Sequence, residues 1–491
     1  MRRRLSILIL SLAGLVATPV STQGPCASVD LYRYSHFSPA VIYADGVDST
    51  TLEVGTAASG VSAVYLDWDW ERLRMYDDGT HGDRAARDSV YTLSGIAYLA
   101  PPDFRYDFEG KHTLSGGSVF IVKTDGTEER WGITSLGMVA PGQRMPWVDL
   151  GRGLSATRSA FFVVDNAGEI FPNMPLTSIP RSKLFTAATR KLYSALGDAF
   201  DFVVLMPNGA LYDPVDYGER SPYCSMTRND VQHIGVPIFN ESANWGSHGW
   251  LRGVVYHSFG SLSILDHEIC HSWGMRIGYG LGLTTGNASP DRYGHWNALA
   301  DINGQLSSFV FAGDVVGCLA DNGDGTWRIQ PTSRDGQPFA PLELYIMGLL
   351  PPEHVPPVHI LVNPNYSNPQ RVTAARVTTV TMQQIMAGEG GARVPAWPQA
   401  QDYFTAALMA VSNHPFTAAE RAFYTLEAEF YASNLPGQQY STPFYAGSGG
   451  RGRINFLLPV PGLRDVYLPA MRAGFQFRGA TACEVQVVRD S

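Results

Sequence analysis

Five consecutive residues near the middle of the chain carry groups that can hold and use a divalent metal ion. They read His267-Glu268-Ile269-Cys270-His271. In a helix, histidines four residues apart stand one turn above each other on one face, so both imidazoles can reach a zinc ion at about 2.0–2.1 Å. Glu268 can take a proton from a zinc-bound water, whose pKa zinc lowers to about 7. The spacing predicts a hydrolytic zinc site with His267 and His271 as ligands and Glu268 as general base.

The residues around this motif predict the helix that it needs. Leu262, Leu265, Ile269 and Trp273 recur at steps of three, four and four, which gives one apolar stripe. Gly274 follows this stripe and is expected to end the helix and turn the chain. We therefore predict a helix over residues 261–275, with its apolar face against a core.

The motif and the glycine after it resemble a known family. The run His267-Glu268-x-x-His271-x-x-Gly274 is similar to the metzincin group of zincin metallopeptidases, in which a third His follows three residues after the Gly. That position is Ile277 here. His295, in Tyr293-Gly294-His295-Trp296, is the best substitute across an insertion, and leishmanolysin-like metzincins carry such an insertion. The resemblance implies zinc bound by His267, His271 and His295.

Other zincin layouts leave three alternatives for the third ligand. An Asp completes the site in aspzincins, and Asp291 lies in a run that faintly resembles their signature. Asp301 is a further oxygen donor, and Glu343 would match the gluzincin layout, although it is distant in sequence. We rank His295 first, then Asp291 and Asp301 together, then Glu343.

A later segment, Pro341-Leu342-Glu343-Leu344-Tyr345-Ile346-Met347-Gly348-Leu349, resembles one found in a class of uncharacterised bacterial secreted proteins with the same motif helix. The resemblance implies one domain that contains the motif, His295 and this segment. Met347 could take the place of the metzincin methionine beneath the metal, or be an ordinary core side chain. Tyr345 or Tyr293 could donate a hydrogen bond to the oxyanion of the transition state, a role worth about 10²–10³ in rate, or be a packing residue.

The length of 491 residues predicts two or three domains. Residues 28–140 alternate apolar and polar positions between turns, the pattern of a β-sandwich, and residues 76–92 resemble immunoglobulin-like modules. We predict a multidomain chain in which this sandwich precedes an α+β zincin-type metallopeptidase domain over 141–455. That domain would include helices at 381–388 and 401–434, and a short β-rich tail would occupy 456–491.

Four aspartates in the N-terminal region could form a calcium-binding loop. They are Asp77, Asp78, Asp83 and Asp88. Aspartate and glycine also satisfy tight turns through local hydrogen bonds, and we favour this second interpretation.

The first 22 residues read as a signal peptide, because Arg2, Arg3 and Arg4 precede a short apolar run over 5–16. We expect a secreted protein without a membrane span. A net charge of −9 with no basic run argues against nucleic acid as a partner. Of the cysteines, Cys270 is expected to be unpaired, and Cys224 with Cys318 and Cys26 with Cys483 are possible disulfides.

These features together predict a zinc-dependent endopeptidase that acts on extracellular proteins or peptides, with Glu268 activating the zinc-bound water. One alternative is a surface-binding or adhesion protein with an inactive or structural zinc site, which the replacement of the usual third His by Ile277 favours. Another is zinc-dependent hydrolysis of a non-peptide amide at the same site.

Overall fold

A computed structural model describes most of the chain between residues 34 and 463. The described ranges are 34–56, 58–68, 71–102, 104, 112–170, 181–208, 223–257, 262, 264–274, 276–284, 294–331, 337–437, 442–460 and 463. The expected signal peptide, Asp291, Tyr293, Cys26 and Cys483 lie outside these ranges. Within them the protein is mostly β, with few helices. None of the helices in the described ranges has the length and apolarity that crossing a bilayer requires.

The N-terminal region consists of strands in two sheets that share one hydrophobic core. The strands are β1 Tyr34–Ser38, β2 Val41–Tyr43, β3 Asp45–Gly55, β4 Val61–Trp68, β5 Glu71–Met75, β6 Val90–Leu99, β7 His112–Lys123 and β8 Glu128–Val139. One sheet has the order β1-β3-β6 and the other β2-β8-β7-β4-β5. Leu52 and Val54 from the first sheet pack with Val64 and Leu66 from the second. The apolar alternation of this region therefore faces a core between two sheets.

The rest of the described chain mixes strands with short helices. The strands are β9 Val148–Gly151, β10 Leu154–Ala156, β11 Ala160–Val164, β12 Phe202–Pro207, β13 Tyr223–Met226, β14 Arg228–Asn229, β15 Phe239–Asn240, β16 Gly253–Tyr256, β17 Val310–Ala312, β18 Val315–Asp321, β19 Trp327–Gln330, β20 Val358–Asn365, β21 Thr373–Val380, β22 Tyr403–Ser412 and β23 Arg453–Asn455. The helices are α1 Arg181–Leu196, α2 Leu265–Cys270, α3 Pro341–Met347, α4 Met382–Gly388, α5 Ala418–Tyr431 and α6 Phe444–Gly447.

A sheet with four adjacent parallel strands forms the centre of this region. Its order is β13-β16-β12-β22-β11-β10-β9, and β23 pairs with β22. Strands β16, β12, β22 and β11 run parallel, whereas β13 is antiparallel to β16 at one edge. Every residue of β12 is buried, as expected for a parallel strand that is covered on both faces.

Helices α1 and α2 lie on opposite faces of this sheet. Val204 of β12 belongs to the same buried cluster as Leu265 and Ile269 of α2. Its neighbour Val203 belongs to the cluster that contains Phe185 of α1. Since successive side chains of a strand point to opposite faces, the motif helix is packed directly on one face of the central sheet.

The predicted helix over 401–434 is wrong in its first half. Residues 403–412 form β22, and α5 begins only at Ala418. Eight of the ten strand residues are buried, and a continuous apolar run does not distinguish a buried strand from a buried helix. Thr417 marks the true helix start, because its hydroxyl accepts from Glu420 N at 3.1 Å and Thr417 N donates to the Glu420 carboxylate at 2.8 Å.

The motif helix is shorter than predicted. The α-helical part covers Leu265–Cys270, and a 3₁₀ turn covers His271–Trp273. Of the predicted tail over 456–491, only residues 456–460 and 463 are described, and the prediction for the rest lies outside the described residues. Two of the described ones, Leu458 and Val460, pack in the cluster on the α1 face.

The three described cysteines are all buried. They are Cys224, Cys270 and Cys318. The expectation that Cys270 is unpaired is confirmed. The possible pairing of Cys224 with Cys318 is wrong, because Cys224 forms no disulfide. Cys224 lies in β13 of the central sheet, whereas Cys318 lies in β18 of a separate sheet. Cys224 Sγ instead lies 3.2 Å from Ser272 Oγ, directly after the motif.

Candidate metal centre

The apolar stripe of α2 fixes the position of the two motif histidines. Leu265 and Ile269 are fully buried in the core beneath the helix. Gly274 ends the motif in the left-handed conformation, with φ of 73°, and its amide donates to His271 O at 2.8 Å. The helix therefore holds His267 and His271 one turn apart, with ring centroids separated by 5.0 Å.

His295 joins these two histidines from a separate loop. Its ring centroid lies 5.1 Å from that of His267 and 5.1 Å from that of His271. The possible ligand atoms of the three side chains all lie within 4.8 Å of one another. Of the described candidates for the third ligand, His295, which the sequence ranked first, is therefore the one that lies next to the motif histidines.

The spacing of the imidazole nitrogens suits a tetrahedral zinc ion. His267 Nε2 and His295 Nε2 are 3.2 Å apart. Two ligands at about 2.0–2.1 Å from zinc, separated by the tetrahedral angle, would be about 3.3 Å apart. Three convergent imidazoles also match the His₃ donor set of one class of catalytic zinc sites. The residues therefore fit this metal.

A backbone carbonyl orients His267. Its Nδ1 lies 2.6 Å from Gln305 O, and a carbonyl oxygen can only accept, so Nδ1 carries the proton. The lone pair is then on Nε2, the atom that faces His295. Such a hydrogen bond on the far nitrogen is the usual way in which proteins fix the tautomer of a metal-ligating histidine.

Two carboxylates flank His267 in the sequence. Glu268 is 4% exposed, and its place in the chain, next to one ligand and three residues from the other, is that of the predicted base. Asp266 is 2% exposed and accepts a hydrogen bond from the Tyr431 hydroxyl. Burial raises the pKa of Asp266 to about 7, against the effect of the Tyr431 hydrogen bond. Asp266 is thus buried, and its hydrogen bond with Tyr431 ties α2 to α5.

Two of the alternative third ligands make other contacts. Asp301 groups with Asp321 and His359, the other set of three potential ligands among the described residues. Its carboxylate accepts from His359 N at 2.7 Å and from Trp327 Nε1 at 3.0 Å. Glu343 is fully buried and accepts four hydrogen bonds. The third alternative, Asp291, lies outside the described residues.

Tyr345 and Met347 are buried in α3. Tyr345 lies two positions after Glu343, which places their side chains about 200° apart around the helix. The Tyr345 hydroxyl accepts a hydrogen bond from Arg393 N at 2.8 Å, and burial raises its pKa. These contacts favour packing over the oxyanion role. Met347 is in the same core cluster as α2, and Gly348 ends α3 with φ of 85°.

The four N-terminal aspartates satisfy backbone amides. The Asp77 carboxylate accepts from Asp88 N at 3.1 Å and from Ser89 N at 3.2 Å. Asp83 accepts from Gly79 N at 2.7 Å, and Asp78 accepts from the amide two residues later. This pattern agrees with the turn interpretation that the sequence favoured over a calcium loop.

The sequence analysis did not identify the residues that position the histidines through hydrogen bonds, Gln305 and Glu343. Gln305 acts through its carbonyl, which every residue type possesses, so nothing in its side chain marked it. Glu343 was considered only as a ligand. Its position as the third residue of a helix that begins at Pro341 is the available signal, because such a glutamate often returns to the backbone before the helix.

Comparison with known proteins adds no assignment. No protein-family model matches the chain, and none of the curated proteins compared with it is a match.

Proposed function

We propose that the protein is a secreted zinc-dependent endopeptidase. The observation that carries the proposal is the convergence of His267, His271 and His295, from a helix and a distant loop, with Glu268 next to His267 in the chain. In this proposal the two N-terminal sheets are an immunoglobulin-like sandwich, and the central sheet with its helices is a metzincin-like zincin domain. The substrates are extracellular proteins or peptides.

The three histidines, Glu268 and Gln305 have different roles in the proposed reaction. The three histidines hold zinc, which when bound supplies a Lewis acid and lowers the pKa of water to about 7. Glu268 accepts the proton of the attacking water and later delivers it to the leaving amine. The Gln305 carbonyl keeps His267 in the tautomer that leaves Nε2 available.

The decisive experiment compares Glu268→Gln with the wild type. The amide keeps the size of the side chain but cannot act as a base, so zinc content is expected to stay near one per chain. Cleavage of an unfolded, fluorescently labelled protein should fall by about 10²–10⁴, the usual contribution of a general base. Glu420→Gln, which changes another fully buried glutamate, is the matched control and should cleave at the wild-type rate.

Three results would contradict this proposal. Cleavage at the wild-type rate by a zinc-loaded Glu268→Gln variant would exclude Glu268 as the general base. Wild-type protein that binds zinc but cleaves no peptide bond would favour the alternatives, an adhesion protein with a structural zinc site or a hydrolase of other amides. Wild-type protein that binds no zinc would exclude the metal site itself.

A further inference from the structure

The carboxylate of Glu343 is saturated with hydrogen bonds. Oε1 accepts from Trp296 Nε1 at 2.9 Å and from Leu306 N at 2.8 Å. Oε2 accepts from Gln305 N at 2.9 Å and from Ala340 N at 2.8 Å. A carboxylate offers about four lone-pair positions, so every one of them is used. Three of the four donors belong to the loop that follows His295.

Two of these donors lead directly to candidate zinc ligands. Trp296 follows His295 in the chain, is fully buried, and its amide also donates to Leu306 O at 2.8 Å. The backbone carbonyl of Gln305 accepts a hydrogen bond from His267 Nδ1. The backbone amide of Gln305 donates a hydrogen bond to Glu343. The Glu343 carboxylate therefore holds both Trp296, the residue after His295, and Gln305, the residue whose carbonyl orients His267.

The loop is shaped for this close approach. A Cβ atom on Gly304 would lie 2.3 Å from Glu343 Oε2 and 2.6 Å from the Ala340 side chain. Any residue with a Cβ atom at position 304 would therefore push the loop away from α3. The glycine and the glutamate thus belong to one contact that fixes the distance between the helix and the loop.

We propose that Glu343 is a positioning residue that sets the relative placement of His267 and His295 through Gln305 and Trp296. This inference rests on the proposed zinc site. Glu343 does not touch the metal; it acts by keeping two ligands, from α2 and from the loop, at the separation that zinc requires. Partners of this kind around a metal site typically contribute 10–100-fold to metal affinity.

The chain contains a matched control for this role. Glu420 is also fully buried and is the third residue of a helix with a capping interaction. Its carboxylate accepts from Ala40 N at 3.0 Å and from Asn208 Nδ2 at 2.8 Å. Glutamine at either position replaces an acceptor by a donor that faces other donors. Both variants should therefore lose stability. Only the contacts of Glu343 connect to the candidate zinc ligands, through Trp296 and Gln305.

The experiment compares Glu343→Gln with Glu420→Gln and with His295→Ala. Urea unfolding in the presence of a chelator gives the stability of each metal-free protein. Competition with a chromophoric chelator gives the zinc affinity, and the visible absorption of the cobalt-substituted protein reports the ligand geometry. We expect Glu343→Gln to bind zinc about 10–100-fold more weakly and to change the cobalt spectrum towards that of His295→Ala. Glu420→Gln should keep the wild-type affinity and spectrum.

The possible failures are distinguishable. A folded Glu343→Gln variant with wild-type zinc affinity and cobalt spectrum would overturn the positioning role and leave the proposed peptidase intact. Absence of zinc binding by the wild type would instead overturn the proposed function. If Glu343→Gln does not fold, Trp296→Phe decides, because it removes one donor and leaves the other three. Weaker zinc binding in that folded variant supports the role, and unchanged binding overturns it.

Discussion

Substitution of Gly274 by alanine tests whether this residue closes the motif for steric as well as conformational reasons. Its φ of 73° lies in the left-handed region, which costs a residue with a Cβ about 1–2 kcal/mol. An added Cβ would also lie 2.3 Å from Val236 Cγ2 and 3.2 Å from Met226 Cε. Valine is stiff at χ1, so it cannot swing aside, and overpacking of this kind costs about 1–3 kcal/mol. Together the two effects predict a loss of about 2–5 kcal/mol.

A second glycine separates the two contributions. Gly323 has φ of 77° in the exposed turn between β18 and β19, and a Cβ there would meet nothing within 4 Å. Gly323→Ala should therefore lose only the conformational part, about 1–2 kcal/mol. Urea unfolding of both variants and the wild type, with a common m value, measures the difference. Because Gly274 N donates to His271 O, the zinc affinity of Gly274→Ala should fall as well.

The steric argument can be refuted directly. Equal losses in Gly274→Ala and Gly323→Ala would show that the contact with Val236 is not important. A double variant gives a further check, since Val236→Ala removes the crowding methyl group. In that background Gly274→Ala should cost about as much as Gly323→Ala, and an unchanged cost would contradict the assignment of the clash.

Three other outcomes follow from the described contacts. Zinc at 100 times its dissociation constant should raise the unfolding free energy of the wild type by about 2.7 kcal/mol; in thermal melts this gain should be largely lost in His295→Ala, and an equal gain in both would exclude His295 as a ligand. His359→Ala should leave one zinc per chain by mass spectrometry, because the Asp301 carboxylate beside it is engaged by protein donors; loss of zinc would show that this group binds it. Burial raises the pKa of Cys224 to about 12 and also raises that of Cys270, so both thiols should be alkylated only in denaturant, and rapid labelling of the native protein would contradict their burial.

The sequence predicted the parts of the candidate site that depend on local periodicity. The apolar stripe of Leu265 and Ile269 and the glycine after His271 describe a helix face and its end, and both are properties of a few consecutive residues. The same reasoning failed for residues 403–412, because a strand covered on both faces is apolar throughout. Which of the two structures forms was decided by the neighbouring strands β12 and β11.

The contacts between distant segments had no such local signal. His295 could be ranked as a ligand only by resemblance, since nothing in its neighbours fixes where the loop runs. That path depends on Glu343, 48 residues beyond His295 in the numbering, and on a glycine at 304 that lets the loop approach. Buried polar groups must find partners because an unpaired one costs about 1–3 kcal/mol. A buried glutamate in an apolar helix therefore predicts that donors gather around it, although the sequence does not say which.

The need to pair buried polar groups explains how Glu343, which is neither a motif residue nor a ligand in our proposal, can determine the arrangement of the histidines. A zinc site needs two elements to meet at a separation near 3.3 Å between ligand nitrogens, a tolerance much finer than apolar packing alone provides. Hydrogen bonds have defined lengths and directions, and three of the four at Glu343 join α3 to both ends of the loop that carries His295 and Gln305. The apolar core brings the helix and the loop together, and the buried carboxylate sets their spacing.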